Sequence, residues 1–331
     1  MDVLVTGATG LVGNDLVHLL VERGHRVRAL VRDVERARPH LPADVTLLQG
    51  DICDARAVWS AMEGVEWVFH TAGVAEQWQP DPSIYDRVNR GGTRNLLLAA
   101  EALGVRRFIH TSSMSVFSAP KGGILTERCP RDGPKATHYE RSKQAAERKV
   151  DAALERGVSA IVVNPGGLYG PAPFPNLLNT LLRALWERKV ERVSQGAVSV
   201  LFARGGNEAQ LAAAERGRVG ERYLLADGHY SMQDFAQAGY RVLGEAREVG
   251  MVSMRMLKLV AVFAEAIARP LGRKPLLSRE QLSFSDWDVR IDASKAQREL
   301  GFRPTPIEEG IARTFASFAP PDAADGARAT G

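Results

Sequence analysis

Two side chains near the middle of the chain have the types and the spacing for proton transfer. Tyr139 and Lys143 stand four residues apart in His138-Tyr139-Glu140-Arg141-Ser142-Lys143. On a helix that spacing sets one above the other on a single face. A phenol ionises at about pH 10 in water and is a poor base at neutral pH. An ammonium beside it favours the phenolate and brings the group toward working pH. Upstream, Thr111-Ser112-Ser113 closes a strand-like run with hydroxyls. A solvated helix surface can also carry a Tyr and a Lys at this spacing, so the surrounding elements decide.

Those elements begin at the N-terminus. Val3-Leu4-Val5-Thr6 reads as a short buried strand. Gly7, Gly10 and Gly13 follow with G-x-x-G-x-x-G spacing, and Leu11, Val12, Leu16, Leu19 and Leu20 mark one face of a helix ending at Arg23-Gly24. Strand, glycine turn and helix opening are the parts of a pyrophosphate cradle. Glycine lets a phosphate approach the backbone N–H groups, and the positive end of the helix faces it.

Further strand-like runs lie at 27–31, 45–48, 65–69, 107–111 and 160–163, with helical patterns between them. Four of those helices end at Gly24, Gly64, Gly104 and Gly157, as left-handed caps require. Strands separated by helices read as right-handed crossovers in a parallel sheet. The predicted fold class is α/β: a Rossmann-type doubly wound parallel sheet with a smaller, mostly helical C-terminal substrate region. The dinucleotide domain is expected at 1–171, with a return to it over about 196–226. The substrate region is expected at 172–195 and 227–318, and a disordered tail at 319–331.

The strand ends suggest what lies along the sheet. The second ends Val31-Arg32-Asp33, with Arg36 and Arg38 close behind. An acidic tip would bind the 2′-hydroxyl of NAD, whereas Arg accommodates the 2′-phosphate of NADP. Arg32 therefore favours NADP(H), although Asp33 leaves NAD(H) possible and Arg32 can also be read as a surface charge. Gly50-Asp51-Ile52 reads either as a simple turn or as a contact to the adenine, and the small residues Thr71-Ala72-Gly73 would let the chain pass close to the cofactor. Val74 and Trp78 follow in a loop that reads equally as one wall of a substrate pocket or as plain loop packing.

Composition sets the bounds. The chain has 331 residues, 45% hydrophobic and 25% charged, as in a soluble globular protein with a sizeable core. The net charge of +4 is interspersed, with no long basic run, so a nucleic-acid partner is not expected. Cys53 and Cys129 lack metal-ligand spacing, and the seven histidines form no H-x-x-x-H or H-x-H pair. No metal is expected, and a reduced, cytoplasmic protein without a signal peptide is the simple reading. The most apolar helical stretch, 251–268, carries Arg255, Lys258 and Glu265 and is too short and polar to span a bilayer. It reads as a buried or pocket-covering helix, with contact to a membrane surface as the alternative.

With these motifs the chain resembles the extended short-chain dehydrogenase/reductases, closest to the dihydroflavonol-4-reductase and 3β-hydroxysteroid dehydrogenase-like group. Val88-Asn89 and Asn164-Pro165-Gly166 belong to the superfamily match, and Val68-Phe69-His70-Thr71-Ala72, Gly91-Gly92-Thr93-Arg94-Asn95-Leu96-Leu97, Gly167-Leu168-Tyr169-Gly170-Pro171 and 295–304 carry the subgroup likeness. The resemblance implies a tetrad of Asn89, Ser113, Tyr139 and Lys143. Tyr139 would be the general acid/base, Lys143 would hold the nicotinamide ribose, Ser113 would bind the substrate oxygen and Asn89 would hold a water. Cofactor contacts would come from Gly7, Thr9, Gly10, Leu11, Val12 and Arg32. Asp51, Ile52, Thr71, Ala72, Gly73, Pro165, Gly166 and Leu168 would add to them. A largely apolar substrate would meet Val74, Trp78, Met114, Phe117, Tyr169 and Phe174.

A homodimer through helices 85–103 and 139–156 is implied as well. The expected activity is an NADP(H)-dependent oxidoreductase interconverting a ketone and a secondary alcohol. The alternatives are a nucleotide-sugar epimerase or dehydratase with tightly bound NAD, and a cofactor-binding protein without catalysis. A dehydratase would want an acid where Met114 stands. One stretch departs from the family pattern: Phe202-Ala203-Arg204-Gly205-Gly206-Asn207 replaces a usual acidic pair before a helix expected from Glu208.

Overall fold

The structure is a computed structural model describing residues 1–76, 78–174, 176–268, 275 and 277–318. The expected tail at 319–331 lies outside the described residues. Seven strands form the central sheet: β1 (Asp2–Thr6), β2 (Arg26–Val31), β3 (Thr46–Gln49), β4 (Trp67–His70), β5 (Arg107–Thr111), β6 (Ala160–Pro165) and β7 (Arg222–Leu225). All pair in parallel, in the order β3-β2-β1-β4-β5-β6-β7. The order reverses between β1 and β4, which opens a crevice at the carboxyl ends of those strands.

Alternate side chains explain the two-sided burial. Val3, Val5, Phe69 and Ile109 enter one core, and Leu4, Val68 and Phe108 the other. Helices α1 (Leu11–Glu22), α2 (Ala55–Met62), α3 (Thr93–Ala102) and α4 (His138–Glu155) cover the sheet. So do α5 (Ala203–Arg216) and its partner α1 on the first face, while α2, α3 and α4 fill the second core. The caps Gly24, Gly64, Gly104 and Gly157 all have φ between 66° and 97°, with open space where a Cβ would stand. Their requirement is therefore the backbone angle and not room.

The C-terminal region has its own core. Gly167–Tyr169, Ala197–Phe202 and Gly228–Ser231 form a three-stranded sheet. Helices Leu177–Trp186, Met232–Val242 and Ile307–Ala316 pack on it around Tyr169, Phe202, Phe235 and Phe315. The strand Ala197–Phe202 thus lies in the small sheet, whereas α5 and β7 join the main layer.

Two readings of the sequence are corrected. Helix α5 starts at Ala203, not Glu208. Each helical glycine costs about 1 kcal/mol of propensity, but tertiary bonds fix the turn. Arg204 pairs with Glu22 and Asp15 of α1, and Asn207 Nδ2 donates to Val12 O at 2.9 Å and Asp15 at 2.8 Å. The helix Met254–Ala268 is not a buried helix. It buries Met254, Ala261 and Ala268, but large apolar side chains on its opposite face are exposed.

Candidate active site

The crevice is bounded by the glycine turn. Gly7 has φ +77°, and a Cβ there would lie 2.6 Å from Ala72 N. Side chains at Gly7 or Gly13 would collide with the facing backbone, whereas Gly10 opens outward. Helix α1 starts at Gly10 with no side-chain cap and no acidic residue in its first turn. Its first N–H groups and its dipole therefore remain available to an anion. This cradle, in which Thr9 is half-buried and Leu11 and Val12 open the helix, fits a pyrophosphate.

The tip of β2 is more open. Arg32, at the tip of β2, is exposed, and no ion pair of its side chain is recorded among the described residues. Asp33 caps the short helix Val34–Ala37, accepting from Arg36 N at 3.0 Å, so its carboxylate is already engaged. Asp51 accepts from Cys53 N at 2.8 Å, while Asn95 Nδ2 holds Ile52 O at 3.0 Å. Those bonds fix the wall beyond β3.

At the other end of the crevice, a capping box sets the first turn of α4. Thr137 Oγ1 accepts from Glu140 N at 3.1 Å, and the Glu140 carboxylate accepts from Thr137 N at 2.9 Å. Tyr139 sits on that turn, buried and hydrogen-bonded to Ser113. Burial pushes its phenol above the ordinary value, with the Ser113 bond pulling the other way. The proton-bearing phenol is thus the form present at neutral pH. Desolvation is the largest influence on this phenol in the protein alone.

Lys143 lies one turn along, its Nζ donating to Thr111 O at 2.9 Å. Burial brings its pKa down to about 8, opposed by the nearby Glu147 carboxylate. Glu147 is itself held by Arg131 and Arg222 and accepts from Asn164 Nδ2 at 2.7 Å. Asn89 lies in a π-helical turn, Asp86–Gly92. Its Oδ1 accepts from Val74 N at 2.7 Å and its Nδ2 donates to Ser142 Oγ at 2.9 Å. The turn is anchored behind by a buried chain. Thr93 Oγ1 donates to Asn89 O at 2.5 Å, and His70 bridges Thr93 and Thr6 at 2.9 and 2.8 Å. Desolvation holds His70 neutral, with a pKa of about 3.

The matching family model is that of the NAD dependent epimerase/dehydratase family, over residues 3–211. The chain belongs to this family. As an epimerase/dehydratase family member it is 30% identical to sterol demethylase protein B of Methylococcus capsulatus, covering 96% of this chain and 98% of that one. It is 31% identical to a 3 beta-hydroxysteroid dehydrogenase/Delta 5→4-isomerase of Mycobacterium tuberculosis, covering 91% and 86%. The crystal structure of gox2253 aligns with a TM-score of 0.79 at 29% identity, over 96% of this chain and 97% of that one. DesIV, a dTDP-glucose 4,6-dehydratase from Streptomyces venezuelae with NAD and TYD bound, aligns with a TM-score of 0.78 at 21% identity, over 96% and 97%. That last likeness is one of fold. Relatives of this family member are named as dehydrogenases and reductases, and the family is one of enzymes.

Within this epimerase/dehydratase fold, several residues assigned from sequence come together. Gly73 lies between Asn89 and Lys143: a Cβ on it would be 3.0 Å from Asn89 Oδ1 and 3.7 Å from Lys143 Nζ. Thr71 Oγ1 donates to Thr6 O at 2.7 Å beside the glycine turn, next to Ala72. Gly166 N donates to Leu225 O at 2.9 Å, which sets the Pro165–Leu168 stretch at the sheet end. Val74 and Trp78 are half-buried in the loop after β4, and Met114 is nearly closed off.

Three expected substrate contacts are elsewhere. Phe117 is fully buried in the sheet core, and Tyr169 packs against Phe202 and Phe235, so neither offers surface to a substrate. Phe174 lies under Arg36, 4.5 Å from ring centre to guanidinium carbon, and edge-on to His40. That is the side of the sheet where the tip of β2 lies. Sequence reasoning overlooked Ser142, Glu147 and Thr93. Ser142 adjoins Lys143 and lies within a turn of Tyr139, and Glu147 lies one turn beyond Lys143, which was a usable signal.

Proposed function

We propose that this chain is an NADP(H)-dependent oxidoreductase that interconverts a ketone and a secondary alcohol on a largely apolar small molecule. The observation that carries the reading is the buried Tyr139–Ser113 hydrogen bond beside Lys143, at the end of a crevice that starts at the glycine cradle. When bound, the dinucleotide supplies or accepts the hydride. Gly7, Gly10 and the first turn of α1 hold its pyrophosphate, and Arg32 meets a 2′-phosphate.

The chain's own residues handle the proton. Ser113 donates to the carbonyl oxygen and orients it, and Tyr139 gives its proton to that oxygen as the alcohol forms. Its raised pKa suits it to the reductive direction, because the proton is present at neutral pH. Lys143 keeps a positive charge beside the site below about pH 8. Asn89 fixes the Val74 backbone and, in this reading, holds a water on the proton route. A second copy docked through α3 and α4 completes the assembly.

The test is to mix the purified chain with NADPH and apolar ketones and follow the reduced cofactor by absorbance. Net consumption is expected, with about a hundredfold or greater loss for Tyr139→Phe while cofactor affinity is kept. Turnover of a UDP-sugar with retained NAD and no net consumption would refute the reductase. Unchanged turnover in Tyr139→Phe would refute the proton assignment.

A further inference from the structure

The helix Met254–Ala268 is apolar on two sides. Its inner stripe is Met254, Ala261 and Ala268, all buried. Its outer stripe is Met256, Leu259, Val260, Phe263 and Ile267, each between 48% and 67% exposed. Their spacing follows one helical face. Water-facing sites on a soluble helix normally carry polar side chains, and five large apolar residues in one stripe mark a contact surface. The helix has 15 residues and thus about 22 Å of length. That suffices to lie along a bilayer surface, but a crossing needs roughly 20 residues.

Charge identifies the partner. Between 251 and 277 the sequence carries Arg255, Lys258, Arg269, Arg273 and Lys274 against the single acid Glu265. The whole chain has 43 basic and 39 acidic side chains, so its entire excess sits in this window and the remainder is balanced. Glu265 is moreover paired with Arg279 at 2.9 Å, off the outer stripe. A cleft of about 700 Å³ runs alongside, with Lys121, Arg255 and Lys258 around Leu259, Val262 and Trp287. Lys121 and Lys258 share one carboxylate, Asp286, each at 2.6 Å, so two ammoniums face one negative charge. A second copy on this face would bring like charges together. A lid over an apolar pocket has no use for the cations.

We propose that this face docks on an anionic phospholipid surface. The helix lies in the interface plane, its outer stripe enters the acyl boundary, and the Lys121, Arg255 and Lys258 side chains beside it meet the headgroups. The proposal does not depend on turnover, so a failed ketone assay would leave it standing.

The experiment is co-sedimentation of the full chain with phosphatidylcholine vesicles, with and without phosphatidylglycerol, at low and high salt. The chain should sediment with the anionic vesicles, and less so with neutral lipid or at high salt. The triple variant Leu259→Ser, Phe263→Ser, Ile267→Ser changes exposed positions only and should keep its melting temperature. Its partition into anionic vesicles should fall about tenfold or more. Absence of sedimentation in every condition, or equal sedimentation of the triple variant, would overturn the proposal. So would a dimer seen by sedimentation velocity that the triple variant abolishes while vesicles bind neither protein.

Discussion

Tyr139, Ser113 and Lys143 are all more than nine-tenths buried, whereas Arg32, at the tip of β2, is exposed. One region has taken ionisable groups out of water at a cost. The other leaves a guanidinium in water at almost none. Buried groups need partners: Lys143 has Thr111 O and Glu147, and Tyr139 has Ser113. Arg32 needs none, so a ligand meets it uncommitted. Changes in the buried region should alter chemistry and stability together, while changes at the exposed tip should alter only which ligand is held.

Lys143→Met tests the buried side most severely. Turnover should fall by about a hundredfold or more, yet the protein should become more stable. The folded-state pKa of Lys143, about 8, lies below the ordinary lysine value of 10.5. Below pH 8 the ammonium is charged in both states, so the folded state bears the full burial penalty. Between the two values the unfolded chain binds more protons, and wild-type stability rises with pH. The Met variant lacks that rise. Its gain should be about 2 kcal/mol near pH 7, after the lost bond to Thr111 O is offset, and should disappear before pH 10.5 is reached. Identical pH dependence of melting in the two proteins would contradict the comparison.

Arg32→Ala tests the exposed side and should have a smaller effect. The KM for NADPH should rise about tenfold, as for loss of a solvent-exposed charge-assisted hydrogen bond. The KM for NADH, the melting temperature and kcat should hold steady. Equal shifts for both cofactors would mean that Arg32 is only a surface charge.

Much of the buried framework was legible because its causes are local. A left-handed cap needs glycine, and Gly24, Gly64, Gly104 and Gly157 were readable one at a time. The crossover strands announced themselves as short apolar runs. Helix α5 was misread at its start because Gly205 and Gly206 argue locally for a loop, while Arg204 and Asn207 bind α1 nearly two hundred residues away. The buried reading of the helix Met254–Ala268 failed because apolar periodicity records that a face is apolar, not what covers it. The aromatic assignments failed in a similar way. Residue type suggested a pocket for Phe117 and Tyr169, whereas packing distant in sequence made them core.

Phe174 gives the finest test of the division. Its type suggested a substrate contact, but its ring lies under Arg36 and beside His40, on the side where Arg32 stands. A cation over an aromatic face contributes about 0.5 to 1 kcal/mol at an exposed site. Phe174→Ala frees Arg36 to move, and the KM for NADPH should change by about two- to fivefold. The KM for the ketone should not change, because nothing in the ring's surroundings belongs to the Tyr139 end. Steady-state kinetics with each substrate varied in turn separates the two. A shift in the ketone KM with the cofactor KM unmoved would return Phe174 to the substrate side. The groove would then no longer divide into a buried chemical end and an exposed end that only selects the cofactor.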